Sequence, residues 1–225
     1  KFAGEIDTWP REEPGTAYLQ KLIFMDLWGN QADLSLWPAD GEHKPNHSDH
    51  SSAREHILVD DSCRVIHLLD SPRSSPFRMD IILDNAGLEL VVDFLMADFL
   101  LSEGWVDRVH LHLKAHPTFV SDAVLQDLDE TLAVLEAGDH PHLRQSGKRL
   151  AAFRSSHQLV LKSDFYWNSP RAFWDLPQAL RTDLQSSRIV ISKGDANYRR
   201  LLGDRHWDYS TPFEDILGHF HAPLL

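Results

Sequence analysis

The spacing of apolar residues changes several times along the chain, and each change marks an element. Ile81-Ile82-Leu83 is an unbroken apolar run, short enough for one buried strand of a parallel sheet. The polar turn Asp84-Asn85-Ala86-Gly87 interrupts it. Leu88, Val91, Val92, Leu95 and Phe99 then recur at offsets of 3, 4, 7 and 11, which is one face of a helix. Strand, tight turn and helix are therefore predicted across Met79–Leu100, with the turn at the carboxyl end of the strand, where open α/β sheets gather ligands.

The same alternation continues. Arg108–Lys114 alternates as a second strand with His110 and His112 on one face, read as buried and hydrogen-bonded rather than metal-ligating. Val124, Leu128, Leu132 and Leu135 space a helix over roughly 123–136, and Gly138–Arg149 reads as a polar linker. Leu159–Lys162 is a third strand, followed by the aromatic turn Asp164–Asn168, and a helix is expected near Leu176–Gln185. Ser187–Ser192 is a fourth strand, after which Lys193-Gly-Asp-Ala-Asn-Tyr-Arg199 opens another helix. Earlier in the chain, Leu19–Trp28 is an apolar helix stopped by Gly29-Asn30, and Asp60 and Asp61 could cap a short helix carrying Val65, Leu68 and Leu69. Residues 1–18 read as an irregular lead-in, and about 38–55 as a mobile loop, within one α/β domain over 19–225. The pattern predicts a layered α/β/α arrangement with a mainly parallel, Rossmann-like sheet.

Composition narrows the chemistry. With 42% hydrophobic and 25% charged residues, the chain is an ordinary globular sequence. A formal charge of -12 without a basic block argues against nucleic-acid or anionic-membrane partners, yet leaves small phosphorylated ligands open. The single Cys63 excludes an internal disulfide framework and suits a cytoplasmic protein. Asp93 and Asp98 interrupt the longest apolar helix, so no membrane span is expected. The first residue is Lys1, so a processed amino terminus is expected, and no secretory signal is apparent.

Three strands end in polar clusters that could meet at one sheet edge. The first supplies Asp84 and Asn85, the second Asp122 a little beyond its end, and the fourth Lys193 with Asp195 and Asn197. Two carboxylates and an amide oxygen suit magnesium or manganese. Lys193 followed by Gly194 and a helix start suits a phosphate. The alternatives are structural: Asp84 or Asn85 as helix caps, and Glu89 with Asp93 as a solvated i, i+4 pair.

These residues carry a resemblance. Asp84-Asn85-Ala86-Gly87-x-Glu89-Leu90, Ser121-Asp122, Lys193–Arg199 and Gly203-Asp-Arg-His-Trp207 resemble the damage-control phosphatase family. Trp28-Gly-Asn30, Ala32–Leu36 and Asp164–Asn168 are similar to its third subfamily, whose members were also described as protein-glutamate methyltransferases. The resemblance implies a metal-dependent phosphatase for sugar phosphates such as fructose 1-phosphate. Its divalent ion (manganese or magnesium, with cobalt or nickel as further options) would sit on Asp84, Asn85 and Asp122. Substrate contacts would fall to Glu89, Lys193, Asp195, Asn197 and Arg199, with Asp84, Asp122 and Lys193 in catalysis. The family's helical amino-terminal domain and its Arg-Thr-x-Lys motif find no match here. The rival is an S-adenosylmethionine-dependent carboxyl methyltransferase, for which no G-x-G-x-x-G turn is present; a third reading is an impaired binding module.

Overall fold

The computed structural model describes residues 15–29, 57–72 and 76–225. The loop expected at 38–55 and most of the lead-in lie outside the described residues. Strands β1 (Arg78–Ile82), β2 (Arg108–Lys114), β3 (Leu159–Asp164) and β4 (Ile189–Ser192) form one all-parallel sheet in the order β3-β2-β1-β4. Helices α1 (Gly15–Trp28), α2 (Ser62–Leu69), α3 (Leu88–Ser102), α4 (Leu125–Ala137), α5 (Pro141–Ser155), α6 (Gln178–Gln185), α7 (Asp195–Leu202) and α8 (Phe213–Ile216), with short 3-10 helices at Phe165–Asn168 and Phe173–Asp175, complete the described elements. No helix among the described residues is long and apolar enough to cross a membrane.

The pleat gives the sheet two unlike faces. Met79, Ile81, Val109, Leu111, Leu159, Ile189 and Ile191 join one apolar cluster with residues of α1 to α5. The opposite face carries Asp80, Ile82, His110, His112, Lys162 and Val190, and its smaller cluster draws on Tyr166, Trp167, Phe173, Leu180 and Leu201. Arg78, Asp80, His112, Lys162 and Asp183 form a network there: Asp80 accepts from Arg78 Nε at 2.7 Å and lies 2.7 Å from His112 Nε2, while Lys162 reaches Asp183 at 2.5 Å. His112 is thus buried and hydrogen-bonded, as its strand position suggested. Burial pushes the Asp80 pKa up, but His110, His112 and Arg78 outweigh it and hold the carboxyl far below its ordinary value.

Three local expectations change. Helix α1 begins at Gly15, so the end of the expected lead-in is helical. The supposed linker 138–149 is mostly helix α5, whose few apolar positions give a weak periodic signal. Its Gly147 packs so closely on α4 that a Cβ would stand 2.6 Å from the Glu136 backbone nitrogen. Helix α3 is buried nearly all round, which removes the reading of Glu89 and Asp93 as a solvated pair. Its internal charges find partners: Asp98 takes Arg149 Nε at 2.7 Å and Asp93 takes Lys193 Nζ at 2.8 Å.

Candidate active site

The strand order reverses between β1 and β4, so the carboxyl ends of these neighbours open a crevice. β1 leads into Leu83-Asp84-Asn85, and β4 leads into Lys193-Gly194, with Lys193 N–H donating to Ile82 O at 3.1 Å. Neither Asp84 nor Asn85 caps α3; Gly87 occupies the N-cap position without a side-chain bond. Both side chains are used elsewhere.

Asp122 arrives on the segment that follows the carboxyl end of β2. Its backbone bridges Asn85, Ala86 N–H donates to Ser121 O at 2.7 Å, and Ala123 N–H donates to Asp84 O at 2.9 Å. The Thr118 and Phe119 N–H groups, each at 2.8 Å, fix one Asp122 carboxylate oxygen. Its other oxygen meets the Lys114 ammonium, which also donates to Asp84 Oδ1 at 3.1 Å. A single ammonium therefore touches both aspartates. Asn85 Oδ1 accepts the Ser121 hydroxyl at 2.8 Å, while its amide nitrogen donates to Asp84 and Glu89, each at 3.0 Å.

Beside this group lies a second charge cluster. Lys193 Nζ stands 2.5 Å from Asp26, 2.8 Å from Asp93 and 3.0 Å from Glu89. All four side chains are buried. Burial raises the Asp93 carboxyl well above its ordinary pKa, with the Asp26 charge adding to it, and burial likewise raises Glu89. Burial alone would lower the Lys193 pKa, but the charges of Asp26, Asp93 and Glu89 raise it, so the ammonium is firmly held. Asp26, Glu89, Ser192, Lys193 and Gly194 line a cleft of about 370 Å³ between α1, α3 and the end of β4.

The remaining expected substrate residues sit on α7. Asn197 is buried and donates to Lys193 O at 2.8 Å, so it ties α7 to the end of β4. Asp195 and Arg199 are exposed, and Arg199 pairs with Asp204 at 2.9 and 2.8 Å. The fold thus brings Asp84, Asn85, Glu89, Asp122 and Lys193 together, while Asp195 and Arg199 stand on the outer surface.

Two residues escaped the sequence reading. Lys114 ends the alternating run on the same strand face as His110 and His112, and that placement beside a sheet edge was its signal. Asp26 is a carboxylate inside the apolar run of α1, a position that acidic residues rarely occupy unpaired.

The donor set fits a divalent ion: two carboxylates and an amide oxygen, gathered where a cation is already accommodated. A different trio, Asp80, His112 and Asp183, also brings ligand atoms within 4.8 Å of one another. There, Arg78 and Lys162 neutralise the carboxylates, as Lys114 does between Asp84 and Asp122.

Comparison with known proteins gives the family. A family model described as the damage-control phosphatase ARMT1-like domain matches residues 2–222. The chain is 40% identical over 219 residues to damage-control phosphatase ARMT1 of Xenopus laevis, covering 92% of this chain and 50% of that protein. It is 38% identical over 216 residues to the Danio rerio protein of that name, covering 91% and 48% respectively. For the Homo sapiens protein the figures are 34% over 217 residues, with 91% and 49% covered. The chain spans about half the length of these curated relatives.

Proposed function

The chain belongs to the damage-control phosphatase ARMT1-like family, and from that premise we propose that it hydrolyses phosphomonoesters of small sugars, such as fructose 1-phosphate, with the help of a divalent ion. The observation that carries the reading is the convergence of Asp84 and Asp122 on one cation, Lys114, with Asn85 alongside, at the mouth of the β1–β4 crevice. Asp84, Asn85 and Asp122 would hold the ion. When bound, it would supply Lewis-acid stabilisation of charge on the phosphoryl oxygens.

The chain's own residues do the rest. The Thr118 and Phe119 N–H groups orient the Asp122 carboxylate, and Glu89 and Ser121 orient the Asn85 amide. Holding these groups fixed before substrate arrives is what makes such electrostatic stabilisation effective. Lys193 and Glu89 are assigned to the substrate side, on the wall of the cleft, while Asn197 braces Lys193 through its backbone oxygen and the outward-facing Asp195 and Arg199 take no part in it. Phosphate release from a panel of sugar phosphates, with and without manganese or magnesium, tests the proposal. Manganese-independent methylation of protein carboxylates, with no metal-stimulated phosphate release, would replace it with the methyltransferase reading.

A further inference from the structure

The site needs a cation that can meet a phosphate, and Lys193 is poorly placed to be the principal one. Its ammonium already faces Asp26, Glu89 and Asp93 within 3.0 Å. Even with Asp93 protonated, two carboxylates would remain for one lysine, so the cluster offers an incoming dianion no net positive charge. Arg200 is also engaged: it donates to Ser169 O, Trp167 O and Asn197 Oδ1, each at 2.8 Å.

Lys114 differs. It is the last residue of β2, 4% exposed, and its hydrogen bonds run to Asp84 and Asp122. An ammonium has three N–H donors. Two are used on these carboxylates, which leaves one for a further acceptor at the same point. The charges also balance. Asp84 and Asp122 with a divalent ion are neutral, so a phosphate monoester dianion would meet a positive site only through another cation. Lys114 provides it. The strand holds the backbone in place, and the neighbouring Ala115 N–H is tied to Asn168 Oδ1 at 2.8 Å, so the side chain projects from a fixed base.

We propose that Lys114 is a catalytic residue of this site: anchored between Asp84 and Asp122, it donates its remaining N–H to a phosphoryl oxygen. The inference rests on the phosphatase reading above and adds to it the residue that neutralises the phosphoryl group. In the net reaction, the P–O bond to the sugar breaks and the oxygen of water bonds to phosphorus. One proton of that water ends on the sugar hydroxyl, and hydrogen phosphate leaves. Lys114 keeps its own proton throughout and acts by charge and hydrogen bonding.

The test compares wild type, Lys114→Met and Lys114→Gln by calorimetric titration. The probes are manganese alone, and then orthovanadate added to the manganese-loaded protein. Removing a positive charge beside the ion should leave manganese affinity equal or raise it several-fold, while vanadate binding falls at least ten-fold. Turnover of a sugar phosphate at saturation should fall by roughly 10²–10³, as for loss of one charge-stabilising donor. Thermal melts guard against misfolding: the variants should melt lower without manganese and gain more from it than wild type does. If Lys114→Met does not fold under either condition, Lys114→Gln, which keeps a neutral donor, decides the matter by the same titrations. Folded variants with unchanged vanadate affinity and turnover would overturn the role of Lys114 while leaving the phosphatase reading standing. Wild type that binds no manganese would overturn the ion site itself, and the Lys114 proposal with it.

Discussion

The Asp84 carboxyl rests on the backbone of Gly194. A Cβ built at residue 194 would lie 2.1 Å from both Cγ and Oδ2 of Asp84, and the Gly194 φ of 83° independently favours glycine. The glycine of the Lys193-Gly194-Asp195 motif is therefore a structural condition for placing Asp84, whether or not phosphate also approaches there.

Gly194→Ala should force Asp84 out of position. A loss of roughly 1–3 kcal/mol in stability is expected for a side chain forced into a filled, positive-φ site. Manganese affinity should fall as well. Urea denaturation and calorimetric titration measure the two effects separately. A variant with wild-type stability and manganese affinity would show that the contact between Asp84 and Gly194 is not needed.

Lys193→Ala should destabilise the fold before any question of catalysis arises. It would leave Asp26, Glu89 and Asp93 buried together without their shared cation. Breaking a buried ion pair by removing one partner costs about 3–5 kcal/mol. Adding Asp93→Asn should recover part of that loss, because it removes one of the repelling charges. Denaturant midpoints of the single and double variants check this. A fully stable Lys193→Ala protein would contradict the ion-pair account.

Stability should decline as pH rises above the ordinary carboxylate range, in part because of Asp93. Its folded pKa is raised, first by burial and then by the Asp26 charge, with Glu89 adding to the effect and Lys193 opposing it. Between the unfolded value and this raised one, the folded state binds more protons than the unfolded state. Stability therefore falls with increasing pH through that window. Asp93→Asn removes the proton uptake and should flatten the slope in the pH range above the ordinary carboxylate value, where the raised Asp93 carboxyl titrates. Unfolding free energies at several pH values for both proteins would decide it, and parallel slopes would show that Asp93 does not titrate differently on folding.

Asp122→Asn separates the two enzymatic readings. The substitution keeps an oxygen to accept from the Thr118 and Phe119 N–H groups, but removes one negative charge from the proposed ion site. A phosphatase that depends on the ion should lose most of its rate and its manganese uptake. Methyl transfer from a sulfonium donor would persist in a folded variant, since the positive sulfur already activates the methyl group. A paired assay with melting curves distinguishes them.

The sequence alone determined the alternation of strand and helix, because strand and helix leave different periods in the chain. It also showed the polar turns after β1 and β4, since Asp84-Asn85 and Lys193-Gly194 interrupt strong apolar runs. Asp122 was legible as a candidate, but its place was not: it meets Asn85 through a bridge 37 residues away in sequence. Helix α5 was hidden because its contact with α4 runs through Gly147, and that close backbone approach leaves only a thin apolar stripe around Leu143, Leu150 and Ala151. Asp93 looked like a surface charge because an i, i+4 pair of acids is usual on a wet helix face. Only the packing of α1 and β4 around α3 buries it and brings Lys193 to it. Lys114 is decided by tertiary structure in the same way. Read along the chain it is one more polar residue at a strand end, and it becomes part of the site because β1 lies beside β2 and the segment 118–122 folds back over both.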